Sequence, residues 1–239
     1  MLLRVYWVCM RMHVWCNVQA IDFYADHPSN STPPYQPLHG HNLYPNEQFK
    51  TILTSHITSI LSLGAALMRC MAVALELPED YFEQFTNPSF WVCRAIGYPP
   101  LTAEAREKNP DGVGCGAHSD YGCWTFLLAD ETKGALKVKS IDSKEGDEKW
   151  IDANPVEGCF VVNVGDMLMQ WTNGLFRSTI HQVVHLGNNY RVSVPVFFEP
   201  AWDAKISPLQ SCIDRTGGKA RFGEVQYGEY LLEKVRNNF

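Results

Sequence analysis

The segment GAHSDYG (116–122) places His118 and Asp120 two residues apart among small and aromatic neighbours. In an extended segment successive side chains alternate between faces, so His118 and Asp120 point the same way and Ser119 points the opposite way. The two side chains could therefore share one metal ion. The alternative is a structural hydrogen bond between a histidine and an aspartate at the end of a strand, and the pair alone does not decide between them.

A second segment, STIHQVVHLGNNYRVSVPVFFEP (178–200), supplies His181, Arg191 and Ser193. If two antiparallel strands meet across the Gly-Asn-Asn turn, the arginine lies close to the histidine. Arginine binds a carboxylate through two parallel hydrogen bonds, and the serine hydroxyl can assist it. Two histidines and one carboxylate form the ligand set of non-haem Fe(II) oxygenases. The arginine then fits a keto-acid co-substrate.

The composition indicates a globular protein without nucleic-acid partners. The chain has 239 residues, of which 46% are hydrophobic, and this predicts one domain with a substantial core. Its net charge is −6 and its 20 lysines and arginines are scattered, so no basic field attracts phosphate backbones. None of the eight cysteines forms a CxxC motif, which predicts a reducing, cytoplasmic location. We expect a monomer that acts on a small-molecule substrate.

The chain contains two apolar stretches, and neither predicts a membrane partner. The stretch 57–77 is interrupted by Arg69 and carries hydroxyl residues, which favours a buried amphipathic helix over a membrane span. The N-terminal stretch is broken by Arg4 and Arg11, and no small-residue cleavage site follows it. We therefore expect no signal peptide.

The hydrophobic pattern divides the chain into three segments. Residues 1–89 are predicted to form a helical region, with an irregular loop at 26–46 and a long helix from Glu47 to Leu77 capped by Asn46. A second short helix is predicted from Glu79. Residues 90–200 form a β-rich core without helices between its strands, and residues 201–239 form a tail with a closing helix. Strands are predicted at 90–97, 115–118, 123–128, 136–139, 149–151, 159–163, 179–186 and 191–198.

Several motifs together resemble the Fe(II)/2-oxoglutarate dioxygenases of the isopenicillin N synthase-like superfamily. HGHNLYP (39–45) is similar to the family's HGxNxWP, and YPP (98–100) is similar to its tyrosine-proline strand end. AHSDYG matches its HxD motif, and VVNVGDMLMQWTNG (161–174) matches its VVNxGDxLxxxTNG. The resemblance covers the chain from about Ala20 to Phe239. It implies an α+β, mainly β fold, with a double-stranded β-helix (jelly-roll) core flanked by helices.

The resemblance also implies the roles of individual residues. His118, Asp120 and His181 correspond to the iron ligands, and Arg191 with Ser193 corresponds to the anchor for the far carboxylate of 2-oxoglutarate. Tyr98 matches a tyrosine that can hydrogen-bond the same carboxylate. The implied cofactors are Fe(II), 2-oxoglutarate as co-substrate, O₂, and ascorbate as a reductant. The implied activity is hydroxylation, desaturation or cyclisation of a small organic metabolite, with release of succinate and CO₂.

Strand parity extends the predictions to substrate contacts. If Arg191 and Ser193 face the pocket, Phe197 faces it too and can form a wall for the substrate. Trp124 and Phe126 share the parity of His118 and Asp120 if the chain does not bulge between them. For all three aromatic residues the alternative is ordinary core packing. Structural roles are expected for a further set of polar residues and cysteines: His39, His41, Cys115, Cys123, Asn163, Asp166 and His185.

Two alternatives to the 2-oxoglutarate-dependent reaction are left open. In isopenicillin N synthase-like oxidases the arginine and serine bind a substrate carboxylate, and aminocyclopropane-carboxylate oxidases also work without 2-oxoglutarate. The other alternative is a truncated, inactive or binding-only form. It arises because family members usually carry a longer segment before the HGxN motif, and because residues 1–16 resemble nothing in the family.

Overall fold

The computed structural model describes residues 18–25, 38, 41–142 and 148–238. Short antiparallel strands dominate the second half of the chain, and one long helix precedes them. The strands are β1 (Gln19–Tyr24), β2 (Val92–Tyr98), β3 (Val113–His118), β4 (Trp124–Ala129), β5 (Leu136–Lys139), β6 (Trp150–Asp152), β7 (Val161–Val164), β8 (His181–Val184), β9 (Arg191–Phe198), β10 (Lys205–Ile206) and β11 (Val225–Gln226). The helices are α1 (Glu47–Ala74), α2 (Glu83–Thr86), α3 (Ala103–Lys108), α4 (Asp166–Trp171), α5 (Gln210–Arg215) and α6 (Tyr227–Asn238).

Two antiparallel sheets face each other across an apolar layer. The larger sheet has the order β1-β2-β9-β4-β7, and the smaller has the order β3-β8-β5-β6. Side chains of the larger sheet, among them Tyr98 and Leu127, pack against Leu136 and Val183 of the smaller one. This alternation of strands between two packed sheets is the predicted jelly roll.

Helix α1 covers the outer face of the larger sheet. Asn46 caps it as predicted, because its Oδ1 accepts a hydrogen bond from the Phe49 amide at 2.8 Å. Its buried stripe belongs to the main hydrophobic core, and at Gly64 the helix lies directly against the ring of Phe198. By length and composition alone α1 could also cross a membrane. The buried residues of the stripe are Leu53, Ile57, Ile60, Gly64, Met68, Met71 and Ala72.

All eight predicted strands are present, and those at 136–139 and 191–198 have the predicted bounds. Three expectations about the other elements are wrong. Residues 1–89 are not only helical, because β1 forms the edge of the larger sheet and pairs with β2. Helices α3 and α4 interrupt the β-rich segment. The short helix expected from Glu79 begins only at Glu83, after a turn.

The hydrophobic core draws on all three predicted segments. It contains Phe23 and Leu53 from the first, Phe126 from the second, and Ile206 and Leu231 from the third. The predicted division of the chain into segments at residues 89 and 200 remains a prediction.

Candidate metal centre

The smaller sheet brings the two histidines together. His118 is the last residue of β3 and His181 the first residue of β8, and the two are Cα partners in the antiparallel ladder. Asp120 lies in the loop just after β3 and is buried. Each of these three residues offers one possible ligand atom, and the three atoms all lie within 4.8 Å of one another. Residues 61 positions apart in sequence therefore form one cluster.

Hydrogen bonds orient all three side chains. The Nδ1 atoms of His118 and His181 face the carbonyl oxygens of Gly116 at 2.8 Å and Thr179 at 2.9 Å, so each ring donates there. Their Nε2 atoms are left to face Asp120 Oδ1, each at 3.7 Å. A backbone carbonyl on the second ring nitrogen is the usual way that a protein fixes a metal-binding histidine.

The second oxygen of Asp120 is held by two residues of the larger sheet. Thr125 Oγ1 donates to Asp120 Oδ2 at 2.5 Å, and Asn163 Nδ2 donates to the same atom at 2.8 Å. Oδ2 is therefore occupied, and Oδ1 remains for a metal ion. Asn163 was expected to shape a turn, but it supports the candidate ligand instead. Neither Thr125 nor Asn163 was singled out for this role by the sequence, because β4 and β7 become neighbours only in the folded sheet.

Replacing Thr125 by valine should weaken metal binding. Valine keeps the volume but removes the hydroxyl that holds Asp120, and losses of such supporting contacts typically cost ~10–100-fold in metal affinity. Equilibrium titration with Co(II), followed by its visible spectrum, measures the effect. Thr125→Ser keeps the hydroxyl and is the matched control. Equal affinities in the two variants would show that the contact does not support the site.

The charges of the cluster suit a cation. Burial lowers the pKa of His181, which keeps its ring neutral and able to bind a metal ion. Burial also lowers the pKa of His118, but contacts with Cys115, the charge of Asp120 and the Gly116 carbonyl outweigh burial and raise the pKa to about 9. Metal binding then displaces a proton from His118.

The loop that carries Asp120 is fixed by the start of helix α4. The amide of Asp166 donates to the Asp120 carbonyl at 2.8 Å, and the amide of Met167 donates to the Gly122 carbonyl at 2.9 Å. Gly165 lies so close to this loop that a Cβ atom there would be 2.4 Å from the Gly122 oxygen. The VVNVGD motif thus holds the HxD loop in place, because the two backbone segments pack closely against each other.

Gly165→Ala should therefore destabilise the protein by about 1–3 kcal/mol, the usual cost of inserting a methyl group into a well-packed site. Thermal and urea unfolding measure this loss. Gly223→Ala is the matched control, because a Cβ at Gly223 meets no atom within 4 Å. A Gly165→Ala variant as stable as this control would contradict the packing account.

A buried arginine with two unbonded nitrogen atoms lies deeper between the sheets. Arg191 is 1% exposed, and its Nε and Nη1 atoms have no hydrogen-bond partner among the described residues. Its guanidinium stacks on the ring of Tyr98 at 4.9 Å, and Tyr98 is its Cα partner on β2. Ser193, two residues further on the same face, is also buried. Buried donors without an acceptor are costly, so these two nitrogen atoms fit an anionic ligand.

The surroundings of Arg191 fit a small dicarboxylate. A narrow cavity between the sheets is lined by Leu127, Ala129, Leu136, Ala153, Val161 and Arg191, among others. Burial raises the pKa of Tyr98 to about 12, which keeps its hydroxyl protonated as a donor. Ile96, two residues before Tyr98 on the same face of β2, packs in the apolar cluster.

The predicted substrate contacts divide into two groups. On β9, Phe197 shares the inner face with Arg191 and Ser193 and is partly exposed, as the parity argument requires. The prediction for Trp124 and Phe126 is wrong. Trp124 donates through Nε1 to Met68 of helix α1, and Phe126 is fully buried in the core beneath that helix. The bend between Asp120 and Cys123 reverses the parity, so Thr125 faces the metal centre instead.

One buried acid in this region was not predicted. Glu199 is 4% exposed. Its carboxyl carbon lies so close to Gly122 that a Cβ atom on Gly122 would be only 2.5 Å from it. Burial, with the nearby charges of Asp120 and Asp166, raises the pKa of Glu199 well above its ordinary value and so favours its neutral form. The parity of β9 could have identified it, because Glu199 continues the series 191, 193, 195, 197.

The residues expected to be structural have such contacts where the structure describes them. His185 is buried, and its Nε2 lies 2.8 Å from the Asn189 carbonyl. In the HGHN segment, Asn42 exchanges two hydrogen bonds with the backbone of Tyr24 at the end of β1. His41 is exposed, and His39 lies outside the described residues.

A jelly roll that holds two histidines and one carboxylate, with an unsatisfied arginine deeper inside, defines a non-haem metal oxygenase that uses an acidic co-substrate. The donors fit Fe(II), because they are nitrogen and oxygen atoms and no cysteine belongs to the cluster.

Comparison with known proteins gives the same class. Residues 88–200 match the model of the 2OG-Fe(II) oxygenase superfamily. Homoarginine-6-hydroxylase 2-ODD-233 of Oryza sativa subsp. japonica is 42% identical over 225 residues, which are 92% of this chain and 67% of that protein. Homoarginine-6-hydroxylase 2-ODD-C23 of Glycine max is 37% identical, over 84% of this chain and 61% of that protein. The chain thus spans about two thirds of the length of these relatives.

Solved structures share the fold. A full-length Neurospora crassa protein, crystallised with alpha-KG and 5-formyluracil, has a TM-score of 0.78 and 26% identity, over 92% of this chain and 69% of that one. A 2OG-Fe(II) oxygenase family protein from Caulobacter crescentus has a TM-score of 0.76 and 27% identity, over 92% of this chain and 70% of that one. The chain belongs to the 2OG-Fe(II) oxygenase superfamily. The predicted family, jelly-roll fold and Fe(II)/2-oxoglutarate chemistry are confirmed.

Proposed function

We propose that this protein binds Fe(II) through His118, Asp120 and His181, and that it oxidises a small organic metabolite with consumption of 2-oxoglutarate and O₂. The observation that carries the proposal is the pairing of two unsatisfied groups in one interior: a three-residue ligand cluster and a buried arginine with two unbonded nitrogen atoms. Bound Fe(II) supplies O₂ activation coupled to oxidative decarboxylation of 2-oxoglutarate to succinate and CO₂.

The protein's own residues bind and orient the metal ion and the co-substrate, and they exclude water. Asp120 is fixed by Thr125 and Asn163, so its ligand oxygen needs no reorganisation when the metal ion arrives. Arg191, with Ser193 and Tyr98, takes the far carboxylate of 2-oxoglutarate and thereby sets how far the keto-acid end reaches towards the three ligands. The apolar cavity wall excludes water from the space between them.

For the substrate we propose a basic amino acid of the homoarginine type. Support comes from the names of the rice and soybean relatives, which are homoarginine-6-hydroxylases. Hydroxylation is then the outcome to test ahead of desaturation and cyclisation. Succinate formation by the Fe(II)-loaded protein, with and without L-homoarginine, tests this proposal. A stimulated rate and one hydroxylated product per succinate are expected, whereas unchanged succinate formation would contradict the substrate class.

The 2-oxoglutarate-independent alternative predicts that the protein consumes O₂ in the absence of 2-oxoglutarate. O₂ uptake by Fe(II)-loaded protein should require 2-oxoglutarate if Arg191 anchors the co-substrate. Uptake that proceeds with an amino acid and ascorbate alone would favour an oxidase of the isopenicillin N synthase or aminocyclopropane-carboxylate oxidase type. We favour 2-oxoglutarate, because the named relatives and the structural neighbours belong to the 2-oxoglutarate-using class.

We further propose a cytoplasmic monomer. No disulfide joins the six cysteines that the structure describes, which suits a reducing compartment. Sedimentation of the Fe(II)-loaded protein tests the oligomeric state, and a dimer would contradict it.

A further inference from the structure

The inner face of β2 carries an ion pair that the reaction described above does not use. Arg94 Nε donates to Asp22 Oδ1 at 2.6 Å, and Arg94 Nη2 donates to Asp22 Oδ2 at 2.8 Å. The two side chains are only 15% and 9% exposed. A pair so far from water loses much of its attraction to the cost of desolvation. Stability alone is therefore a weak reason for its position on a pocket wall.

The register of the strands places Arg94 at the metal end of the interior. Arg94 shares the inner face of β2 with Tyr98, which is two alternations away. Across the interior, a Cβ on Gly114 of β3 would touch the Tyr98 ring, so Tyr98 lies opposite the part of β3 that precedes His118 by four residues.

The larger sheet gives the same position independently. Val92, two residues before Arg94 on the same face, is the Cα partner of Phe197. Phe197 is in turn the Cα partner of Thr125, which donates to Asp120. Phe197 and Arg94 thus lie on the same part of the inner wall as the metal cluster, whereas Arg191 lies at the other end of β9.

The geometry of the pair leaves one donor group available. Asp22 occupies Nε and Nη2 of Arg94, and Nη1 donates to no described residue. The two hydrogen bonds to Asp22 fix the orientation of the planar guanidinium. The Nη1 group therefore points in a fixed direction. A pre-oriented guanidinium loses little entropy when it binds a carboxylate.

We propose that Arg94, held by Asp22, binds the carboxylate of the prime substrate, and that Phe197 forms the apolar wall beside it. This proposal rests on the proposed oxygenase function and restricts its substrate to carboxylate-bearing amino acids. The two arginines of the inner wall then have separate ligands. Arg191 takes 2-oxoglutarate at the deep end, and Arg94 takes the substrate at the metal end.

The test compares acids with their amides. L-Homoarginine, L-arginine and L-lysine are each paired with the corresponding carboxamide, which lacks the negative charge. Two quantities are measured: kcat/KM for succinate formation, and the melting temperature of protein loaded with Mn(II) and 2-oxoglutarate. The variants are Arg94→Lys and the double variant Asp22→Asn/Arg94→Gln, which removes both charges and so leaves no buried orphan. Arg106→Gln, at an exposed helix position, is the matched control.

In the wild type and in the control, at least one acid should exceed its amide in kcat/KM by roughly 30-fold or more, as expected for a buried charge pair. Both Arg94 variants should lose that preference, with acid and amide within about threefold of each other, while the KM for 2-oxoglutarate stays within about twofold. In the melting experiment, the acid should raise the wild-type melting temperature more than the amide does, and the variants should show equal shifts.

Three results would overturn the proposal. They are equal use and equal binding of acid and amide by the wild type, an acid preference that survives in both variants, and no response to any of the acids. A failure of the proposed function looks different, because it is an absence of 2-oxoglutarate turnover. In that case the melting comparison still decides whether Arg94 recognises a carboxylate.

Discussion

Replacing Asp120 by alanine is expected to abolish substrate-dependent succinate formation, with a loss on the order of 10³ or more. The variant removes the only carboxylate of the cluster, and a loss of several kcal/mol of metal binding corresponds to at least a thousandfold in affinity. It also leaves Thr125 and Asn163 without their shared acceptor. Bound iron after desalting should fall with the activity, because two histidines alone hold the ion weakly.

A second readout separates loss of metal from loss of fold. A metal ion that binds only the native state raises its melting temperature, so Fe(II) should stabilise the wild type and not Asp120→Ala. Asp152→Ala, at an exposed aspartate that pairs with Lys137, is the matched control and should keep the stabilisation. An Asp120→Ala protein that retains full succinate formation would show that the ligand assignment is wrong.

Replacing Arg191 by alanine is expected to raise the KM for 2-oxoglutarate by roughly 30-fold to several-thousand-fold, which corresponds to about 2–5 kcal/mol for one partner of a buried charge pair. The requirement for Fe(II) should change far less, because Arg191 lies away from the three ligands. Steady-state kinetics at saturating Fe(II), with 2-oxoglutarate varied, measure the first quantity. Iron titration at saturating 2-oxoglutarate measures the second.

Arg191→Lys is the informative companion. Lysine keeps the positive charge but cannot offer the two parallel donors of a guanidinium, so its KM should lie between those of the wild type and Arg191→Ala. Equal increases in the requirements for iron and for 2-oxoglutarate would indicate that Arg191 supports the fold rather than the co-substrate. An unchanged KM for 2-oxoglutarate in both variants would favour the oxidase alternative.

The parts of the site that were predictable from sequence are those with a short-range signature. HxD places His118 at the end of β3 and Asp120 in the loop directly after it, and RxS places two side chains on one face of β9, where strand parity also places Phe197. The expected antiparallel pairing across the Gly-Asn-Asn turn is wrong, because β8 lies in the smaller sheet and β9 in the larger one, so the turn connects the two sheets. The resemblance to a family supplied the remaining link, that between Asp120 and His181.

What could not be predicted depends on strands that become neighbours only on folding. The hydrogen bonds from Thr125 and Asn163 to Asp120 require β4 and β7 to pair beside the HxD loop. The error at Trp124 and Phe126 has the same origin. A bend at Asp120–Cys123 fixes that loop against α4, and it reverses the parity of β4 relative to His118 and Asp120.

Strand β1 was missed for a different reason. Its sequence, QAIDFY, alternates only weakly, and its Asp22 is an unfavourable strand residue on propensity alone. The ion pair with Arg94 of β2 compensates for that preference. The charged Asp22 in a segment of low strand propensity was thus a sign of a specific partner on the neighbouring strand.

The central claim is that one interior holds Fe(II) on His118, Asp120 and His181 and 2-oxoglutarate on Arg191. Anaerobic titration of the Fe(II)-loaded protein with 2-oxoglutarate tests it most directly. A chelated keto acid is expected to give a weak visible charge-transfer band that saturates at one equivalent per iron and that needs far more 2-oxoglutarate in Arg191→Ala. Iron that binds at one equivalent but shows no band at saturating 2-oxoglutarate would contradict the account.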